Sequence, residues 1–491
     1  MVSVSIQTLG CKLNQAESEA IADSFRKDGF ALVPWGAPAD ILVLNTCTVT
    51  SKAEQKARRI IRKALKDNPD SHIIVTGCYA TLDAGALAAL DRRRLSVVSG
   101  ELKSALLALP RRLAETGVKE SPGACRTCGF LLKSGKLLEP GVLPAFPRAS
   151  GGGTGTGQDP LPGAAFAFNP ADSPFHSRPF LKIQDGCDHA CAYCRARLAR
   201  GRSVSLDAET VLLRLRSLEE RGYAEAVLTG VNICQYRDDS AGDLGGLLAF
   251  LLKGSSHIAL RLSSLEPEGI TPRFLEVLKD PRIRPHFHLS VQSGSDAVLE
   301  RMGRRYTALD IETGAAALRA VKGDPFLACD IITGFPGEGP EDFERSYGLC
   351  KKTGFAWIHA FPYSKRPGTA AASFKNPVSQ RDAVSRVEAL TDLARQGRAA
   401  YVKRWLGKTV EAVPELGGPG RETAEVPFRG KEPSELGYIP AVTDNYLRVL
   451  VSPDQGRGNG NRRSIACRLT ALESGGEGRF DALALEENTT F

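Results

Sequence analysis

Short apolar runs alternate with helix-patterned stretches along most of this chain, and that alternation narrows the fold more than any other feature. "VSVSIQTLGC", "DILVLNTC" and "HIIVTGC" each read as a strand that stops on a cysteine: Cys11, Cys47 and Cys78. Helical stretches over 14–28, 51–66 and 83–91 follow them. Strand–helix alternation builds a parallel sheet. In such sheets ligands gather beyond the carboxyl ends of the strands. Three thiols are therefore expected to converge on one point. One cysteine after a strand is ordinarily a small buried residue; three in succession argue against that. Gly10 and Gly77 are expected to bring the backbone close to a bulky inorganic ligand.

The alternation resumes at residue 180. Strands are expected over 180–185, 225–230, 258–264, 286–293, 326–333 and 357–364. Helices are expected over 206–221, 243–253, 271–280, 307–322 and 340–353, with a long one over 379–406. Six β/α units in a row predict an incomplete parallel barrel whose chemistry sits at the carboxyl ends of its strands. Directly after the first strand comes "DGCDHACAYCRARL", with Cys187, Cys191 and Cys194 spaced C-x3-C-x2-C. The fold class is thus α/β. The expected domains are an α/β unit over 1–115, a Gly- and Pro-rich linker over 116–172, and a partial barrel over 173–407. A small antiparallel β-domain over 408–475 and a frayed tail over 476–491 complete the chain. The linker's GGGTGTG run neither follows a strand nor opens a helix, so it is no dinucleotide loop. Its lone pair Cys125 and Cys128 is weak evidence for a metal.

At 491 residues the chain exceeds one core, and its net charge of +8 suits a polyanionic partner without proving one. No apolar window approaches a membrane span, and "MVSVSIQTLGCKLN" lacks the features of a signal peptide. A cytoplasmic location follows as an expectation. There, twelve cysteines suggest metal or catalysis before disulfides. "SKAEQKARRIIRKALK" (51–66) opens with a capping-box pattern, Ser51 to Glu54. Its apolar face holds Ala53, Ala57, Ile60, Ile61 and Ala64, and seven Lys and Arg residues cover much of the rest. Such a face is commonly just solvated. Beside Cys47 it also fits phosphate contact. Lys403, Arg404, Lys408, Arg457, Arg462, Arg463 and Arg468 add positive charge to the C-terminal region.

Three cysteines on one short loop leave one iron of a [4Fe–4S] cubane without a protein ligand. Such an open position binds a substrate or cofactor. Zinc is the competing reading, and no nearby His or Cys offers it a fourth ligand except His189, which lies inside the loop. "GCDHACAYC" resembles the radical S-adenosylmethionine signature. "LGCKLNQAES", "NTCTVT", "GCYA", "LTGVN", "RLSSLEP", "QSGSD", "ITGFPGE" and "FPYSKRPGT" extend the resemblance to the methylthiotransferases. The match runs from residue 1 to about 475 outside the linker. The strings "CKLNQ" and "NTCTVT" resemble most closely the members acting on N6-threonylcarbamoyladenosine in tRNA. Members acting on isopentenyladenosine or a ribosomal protein aspartate are the alternative. A non-catalytic iron–sulfur protein that binds RNA or transfers electrons is the remote one.

The resemblance implies two [4Fe–4S] clusters, one on Cys187, Cys191 and Cys194 and one on Cys11, Cys47 and Cys78, with S-adenosyl-L-methionine as cofactor. It implies a C-terminal barrel similar to the RNA-binding TRAM domain. The implied partners are a tRNA anticodon stem-loop, a reductant such as flavodoxin or ferredoxin, and sulfur and iron–sulfur assembly machinery, with no membrane. The target, carbon 2 of an adenine, bears a C–H bond that acid–base groups cannot usefully ionise, so a cofactor must supply a radical. Thr229, Gly230, Asn232, Ser264, Glu266, Gln292 and Asp330, at later strand ends, are the candidates for cofactor contact. Lys12, Lys365 and Arg366 are the candidates for the substrate's carboxylate. Three departures from the family pattern stand out: polar Arg195 and Arg197 around Ala196, Thr81 for a usual Gln, and Cys234 for a common Gly.

Overall fold

The computed structural model describes residues 1–115, 165–168, 173, 175–415, 438–451, 463–470 and 481–486. The first unit is a five-stranded parallel sheet. Its strands are β1 (Ser3–Thr8), β2 (Ala31–Leu32), β3 (Ile41–Thr46), β4 (His72–Gly77) and β5 (Leu95–Val97), in the order β2-β1-β3-β4-β5. Every residue of β3 and β4 is buried, as expected of central parallel strands covered on both faces. Thr8 pairs with Asn45 and Thr46 with Gly77, so the three strands that lead to cysteines end nearly level.

Helix α1 (Lys12–Lys27) and helix α2 (Ser51–Asp67) follow the first two of these cysteines. Each begins within two residues of its expected start. The cap of α2 differs: Thr50, not Ser51, accepts from the Ala53 amide at 3.1 Å. Ser51 instead meets Ser364 at 3.0 Å, and Glu54 serves a different purpose described below. A β-branched hydroxyl one residue earlier fits the extended backbone there, φ −130° and ψ 158°.

The second unit is an open barrel of six parallel strands. β6 (Phe180–Lys182), β9 (Glu225–Thr229) and β10 (Ala259–Leu262) form one run, in the order β10-β9-β6. β11 (His286–Gln292), β12 (Phe326–Thr333) and β13 (Trp357–Pro362) form the other. A bridge between Leu265 and Leu289 joins the two runs. The expected strand over 180–185 is interrupted. β7 (Gln184–Asp185) turns away and pairs antiparallel with β8 (Val204–Ser205). The cysteine loop between them is therefore clasped at its base. The helices 208–220, 244–254, 308–322, 340–353 and 380–405 match the sequence expectation within two residues at each end.

The third unit is a closed barrel of β14 (Thr409–Pro414), β15 (Ile439–Thr443), β16 (Arg448–Val451), β17 (Ile465–Thr470) and β18 (Ala482–Glu486). β18 lies in the expected tail and pairs with both β16 and β17, so the barrel extends past residue 475. The β16–β18 pairing is parallel, which departs from the all-antiparallel expectation. Most of the expected linker, with Cys125 and Cys128, lies outside the described residues. Its described part is packed: Phe166 joins the large barrel's core and Phe168 the first sheet's core.

A buried ion cluster ties the large barrel to the small one. Arg261 donates to Glu225 at 2.6 and 2.9 Å and to the Thr443 carbonyl at 3.1 Å. Arg284 bridges Glu225 (3.1 Å) and Glu411 (2.9 Å). Burial alone would raise the Glu225 pKa; Arg261, Arg178 and Arg284 outweigh it and hold it at about 2, against 4.5. That depressed value favours folding fully above pH 4.5, and the contribution is lost as pH falls toward 2. It amounts to roughly 3 kcal/mol. Glu225→Gln is expected to destabilise the chain by about 3–5 kcal/mol, because it leaves buried guanidinium groups unpaired. Denaturant unfolding at pH 7 checks the loss. The gap from the parent should narrow as pH drops below 4.5.

Candidate active site

The three strand-end thiols meet because two glycines let neighbouring strand ends crowd together. Gly10 has φ +112°, and a Cβ there would stand 2.7 Å from the Cys47 Cβ. Gly77 has φ +96°, and a Cβ there would strike the Thr46 carbonyl at 2.3 Å. The expected reason for these glycines, approach to a ligand, is replaced by approach of strand to strand. Thr81 anchors the same corner, donating to the Gly77 carbonyl at 3.1 Å and accepting from the Gly100 amide at 2.9 Å.

The second triad sits on the clasped loop. The Cys194 amide bonds the Cys191 carbonyl at 3.0 Å, and the Cys194 sulfur accepts from the Ala196 amide at 3.3 Å. All six thiols are free, and all six line one cavity of about 1260 Å³. Burial pushes the Cys47 thiol up to about 12 and the Cys191 thiol to about 11. Without a cationic ligand these sulfurs therefore stay protonated, and thiolate character requires bound positive charge.

A cluster with one open iron fits both triads. His189, the only His on the loop, is engaged elsewhere. Its Nδ1 faces Glu266 at 3.0 Å and its Nε2 faces Glu268 at 3.4 Å. Beside the other triad the charged group that bonds a sulfur is a cation, Arg200, whose Nε–H lies 3.3 Å from the Cys78 sulfur. A guanidinium ligates no metal, but it stabilises a sulfur that bears negative charge.

Arg200 also joins the two units. It donates to Asn14 at 2.8 Å, Glu17 at 3.0 Å and Asp185 at 3.1 Å. Lys182 completes this network with Glu17 (3.2 Å) and Asp185 (2.6 Å), and Lys103 pairs with Glu17 as well. A second link passes through Glu54 of α2, which is buried against Arg195 at 3.0 Å and against Arg366. The polar residue at position 195 is thus a bridge between units. Arg195 and Arg366 also bond Thr48, at 3.3 and 3.0 Å, one residue past Cys47.

The cofactor candidates Thr229, Gly230, Asn232, Ser264, Glu266, Gln292 and Asp330 all line the cavity. Glu266 is held by Arg304 at 2.6 Å. Burial would raise its pKa, but His189 and Arg304 bring it to about 2. Asn232 is fixed by a Gln184 side chain at 2.9 Å. Ser264 and Asp330 flank His288, at 2.7 Å from Nδ1 and 3.3 Å from Nε2. Gln292 has φ +66°, a strained conformation for a non-glycine residue and one that clusters at functional sites. Cys234 is no ligand here; its sulfur accepts from the Glu266 amide at 3.3 Å.

Of the three substrate candidates only Lys12 lines the cavity. Lys365 is exposed outside it, and Arg366 is spent on Glu54. Sequence reasoning missed Arg200, Arg304, His288, Tyr446 and Arg448 as parts of the site. Only Arg200 had a signal, its place just after the cysteine loop.

A three-thiol loop above an open parallel barrel, faced across one cavity by a second three-thiol corner, defines a radical S-adenosylmethionine enzyme with two cluster sites. Comparison with known proteins agrees. A model described as "Uncharacterized protein family UPF0004" matches residues 3–99, and the Radical SAM superfamily model matches 181–350. Threonylcarbamoyladenosine tRNA methylthiotransferase MtaB of Treponema pallidum (strain Nichols) is 44% identical over 442 residues, covering 84% of this chain and 91% of that one. The Thermotoga maritima protein of the same name is 33% identical, covering 84% and 87%. A tRNA-2-methylthio-N(6)-dimethylallyladenosine synthase of Nitratidesulfovibrio vulgaris (strain DP4) is 31% identical, covering 87% and 89%. The chain belongs to the threonylcarbamoyladenosine tRNA methylthiotransferase family. It is an enzyme of [4Fe–4S] clusters and S-adenosyl-L-methionine.

Proposed function

We propose that this chain converts N6-threonylcarbamoyladenosine at position 37 of tRNA to its 2-methylthio derivative. The observation that carries the reading is the single cavity onto which both three-thiol sites open. One site, Cys187, Cys191 and Cys194, would hold the cluster that binds S-adenosyl-L-methionine. The other, Cys11, Cys47 and Cys78, would hold the sulfur-donating cluster. When bound, these groups supply reductive cleavage of the sulfonium, hydrogen abstraction at carbon 2, sulfur and methyl.

The chain's own residues orient and exclude. Glu266, fixed by Arg304, and the Thr229–Gly230–Asn232 turn offer polar partners at the first triad. Phe326, Trp357, His359 and Tyr446 line the cavity with flat rings on which an extruded base can stack. The exposed cations of α2, Lys52, Lys56, Arg59, Arg62, Lys63 and Lys66, suit phosphate contact with the stem-loop. The C-terminal barrel, with exposed Arg463 and Arg468, suits grip on folded RNA by charge and shape.

A reductant such as flavodoxin or ferredoxin, and iron–sulfur assembly machinery, are the partners such chemistry requires. The reading also places the protein in the cytoplasm. No helix among the described residues is long and apolar enough to cross a membrane.

The test uses anaerobically reconstituted enzyme and tRNA from cells lacking the modification, with and without the threonylcarbamoyl group, read by nucleoside mass spectrometry. Methylthio product only on the threonylcarbamoylated tRNA is expected. Equal product on both sinks the specificity. Product only on isopentenylated tRNA moves the enzyme to the neighbouring activity.

A further inference from the structure

The cavity does not stop at the cysteines. His286 and Phe326, the first residues of β11 and β12, line it together with Gln292 and Asp330 further along the same strands. It therefore runs along the barrel interior toward the small C-terminal barrel. There Lys12, adjacent to Cys11, shares the lining with Tyr446 and Arg448 from the β15–β16 turn and the start of β16. Tyr446 has φ +68° and its ring stacks on His286 with centroids 3.8 Å apart. The Arg261 guanidinium stands 5.2 Å from the centre of the same ring. A bulky residue held in the left-handed region is costly, and here stacking fixes its phenol in the cavity.

The cations at this end are not equally occupied. Arg261 is bound to Glu225, and Arg178 to Glu415 at 2.8 Å. Asp481, which also lines the cavity, is taken by Arg398 at 2.7 and 2.5 Å. Neither the Lys12 ammonium nor the Arg448 guanidinium has a carboxylate partner among the described residues. Burial raises the Tyr446 phenol's pKa, but Lys12, Arg178, Arg261 and Arg448 outweigh it and the net direction is down. The nearest imidazoles do not add to this charge: burial, then neighbouring cations, push His286 well below its usual value, and burial and His288 push His359 down. The result is a subsite of an amine and a guanidinium without carboxylate partners among the described residues and a phenol donor, lined by the His286 and His359 rings, one residue from a cluster-site cysteine.

We propose that Lys12, Arg448 and Tyr446 together bind the carboxylate of the amino-acid substituent on the target base, so that the C-terminal barrel sets substrate choice as well as gripping RNA. The proposal rests on the threonylcarbamoyl reading. A carboxylate fits this subsite because its two oxygens can be shared between an ammonium, a guanidinium and a phenol. A backbone phosphate is the other anion in the same RNA, and the test separates the two.

Two anticodon stem-loops are compared on reconstituted enzyme, one with the threonylcarbamoyl carboxylate and one with the same group as its carboxamide. Binding is read by fluorescence anisotropy and turnover by methylthio product, with iron per chain as the control for loading. The parent should prefer the carboxylate by about 100-fold in kcat/KM, since a site built for a polar group rejects the analogue lacking it. Lys12→Met and Arg448→Met should each cut that preference about tenfold, and the double variant should abolish it. Tyr446→Phe should lower it less. Variants that weaken binding of both stem-loops equally would mean phosphate contact and overturn the proposal, as would variants that keep the parent's preference. A parent that binds the carboxylate selectively yet methylthiolates neither stem-loop would leave the subsite standing and remove the reading of function.

Discussion

Cys194→Ala is expected to reduce 5′-deoxyadenosine formation to background. The loop that holds Cys187, Cys191 and Cys194 is clasped by β7 and β8, so its sulfurs cannot be exchanged for one from elsewhere without breaking that ladder. Cys234, the nearest spare thiol in sequence, is tied to the Glu266 amide, and burial lifts its pKa to about 12. With two ligands left, the cluster should be lost or labile, and roughly four irons per chain should go with it. Anaerobic assay of 5′-deoxyadenosine, with iron analysis of the same sample, checks both. Product at the parent rate would show that this loop does not hold the cluster that cleaves the cofactor.

Replacing Cys11, Cys47 and Cys78 together with alanine should separate the two chemistries. Iron is expected to fall by about four per chain while 5′-deoxyadenosine formation persists, and methylthiolation should stop. The separation follows from where the triads sit: one on the ends of a five-stranded sheet, the other on a loop of a different unit. An unchanged iron count would reduce the three residues to packed thiols at strand ends. Loss of both activities would mean instead that Arg200, which bonds Cys78 and Asp185 at once, transmits damage from one site to the other.

Local pattern carried the sequence reading as far as the scaffold and both triads. β3 and β4 each carry a short apolar run, Ile41–Leu44 and Ile73–Val75, and level strand ends followed by cysteine put three sulfurs side by side without any long-range information. What depends on partners far along the chain was invisible. Arg366 looked like a substrate contact from its place after β13, yet its partner Glu54 lies 312 residues earlier. Arg195 looked like a local departure from the family pattern and is half of the same bridge. The split of the expected strand over 180–185 depends on pairing with residues 204–205, which no periodicity in six residues could reveal. β18 is short and lies beyond a stretch without a hydrophobic period, so only its ladders to β16 and β17 identify it. Tyr446 lies between β15 and β16 and Arg448 opens β16, and no local sequence pattern marks either. Their meaning comes from the barrel interior they enter.

The buried network around Arg200 has a consequence for how the protein matures in a cell. Three cations, Arg200, Lys182 and Lys103, meet two carboxylates, Glu17 and Asp185, next to the Cys11 and Cys78 sulfurs. Burial works against the charge of Arg200, and Asp185, Cys78, Glu17 and Cys11 are what sustain it. Without negative charge on those thiols, basic groups outnumber carboxylates in this corner among the described residues, and burial pushes the Lys103 pKa down against the pull of Glu17; that imbalance costs folding free energy. Loading the corner with thiolate-bound iron supplies the missing negative charge, so cofactor delivery and folding are linked steps. The unloaded chain is then the species that chaperones and proteases sort, and cellular abundance of this enzyme should track the supply of iron–sulfur clusters as well as its own synthesis.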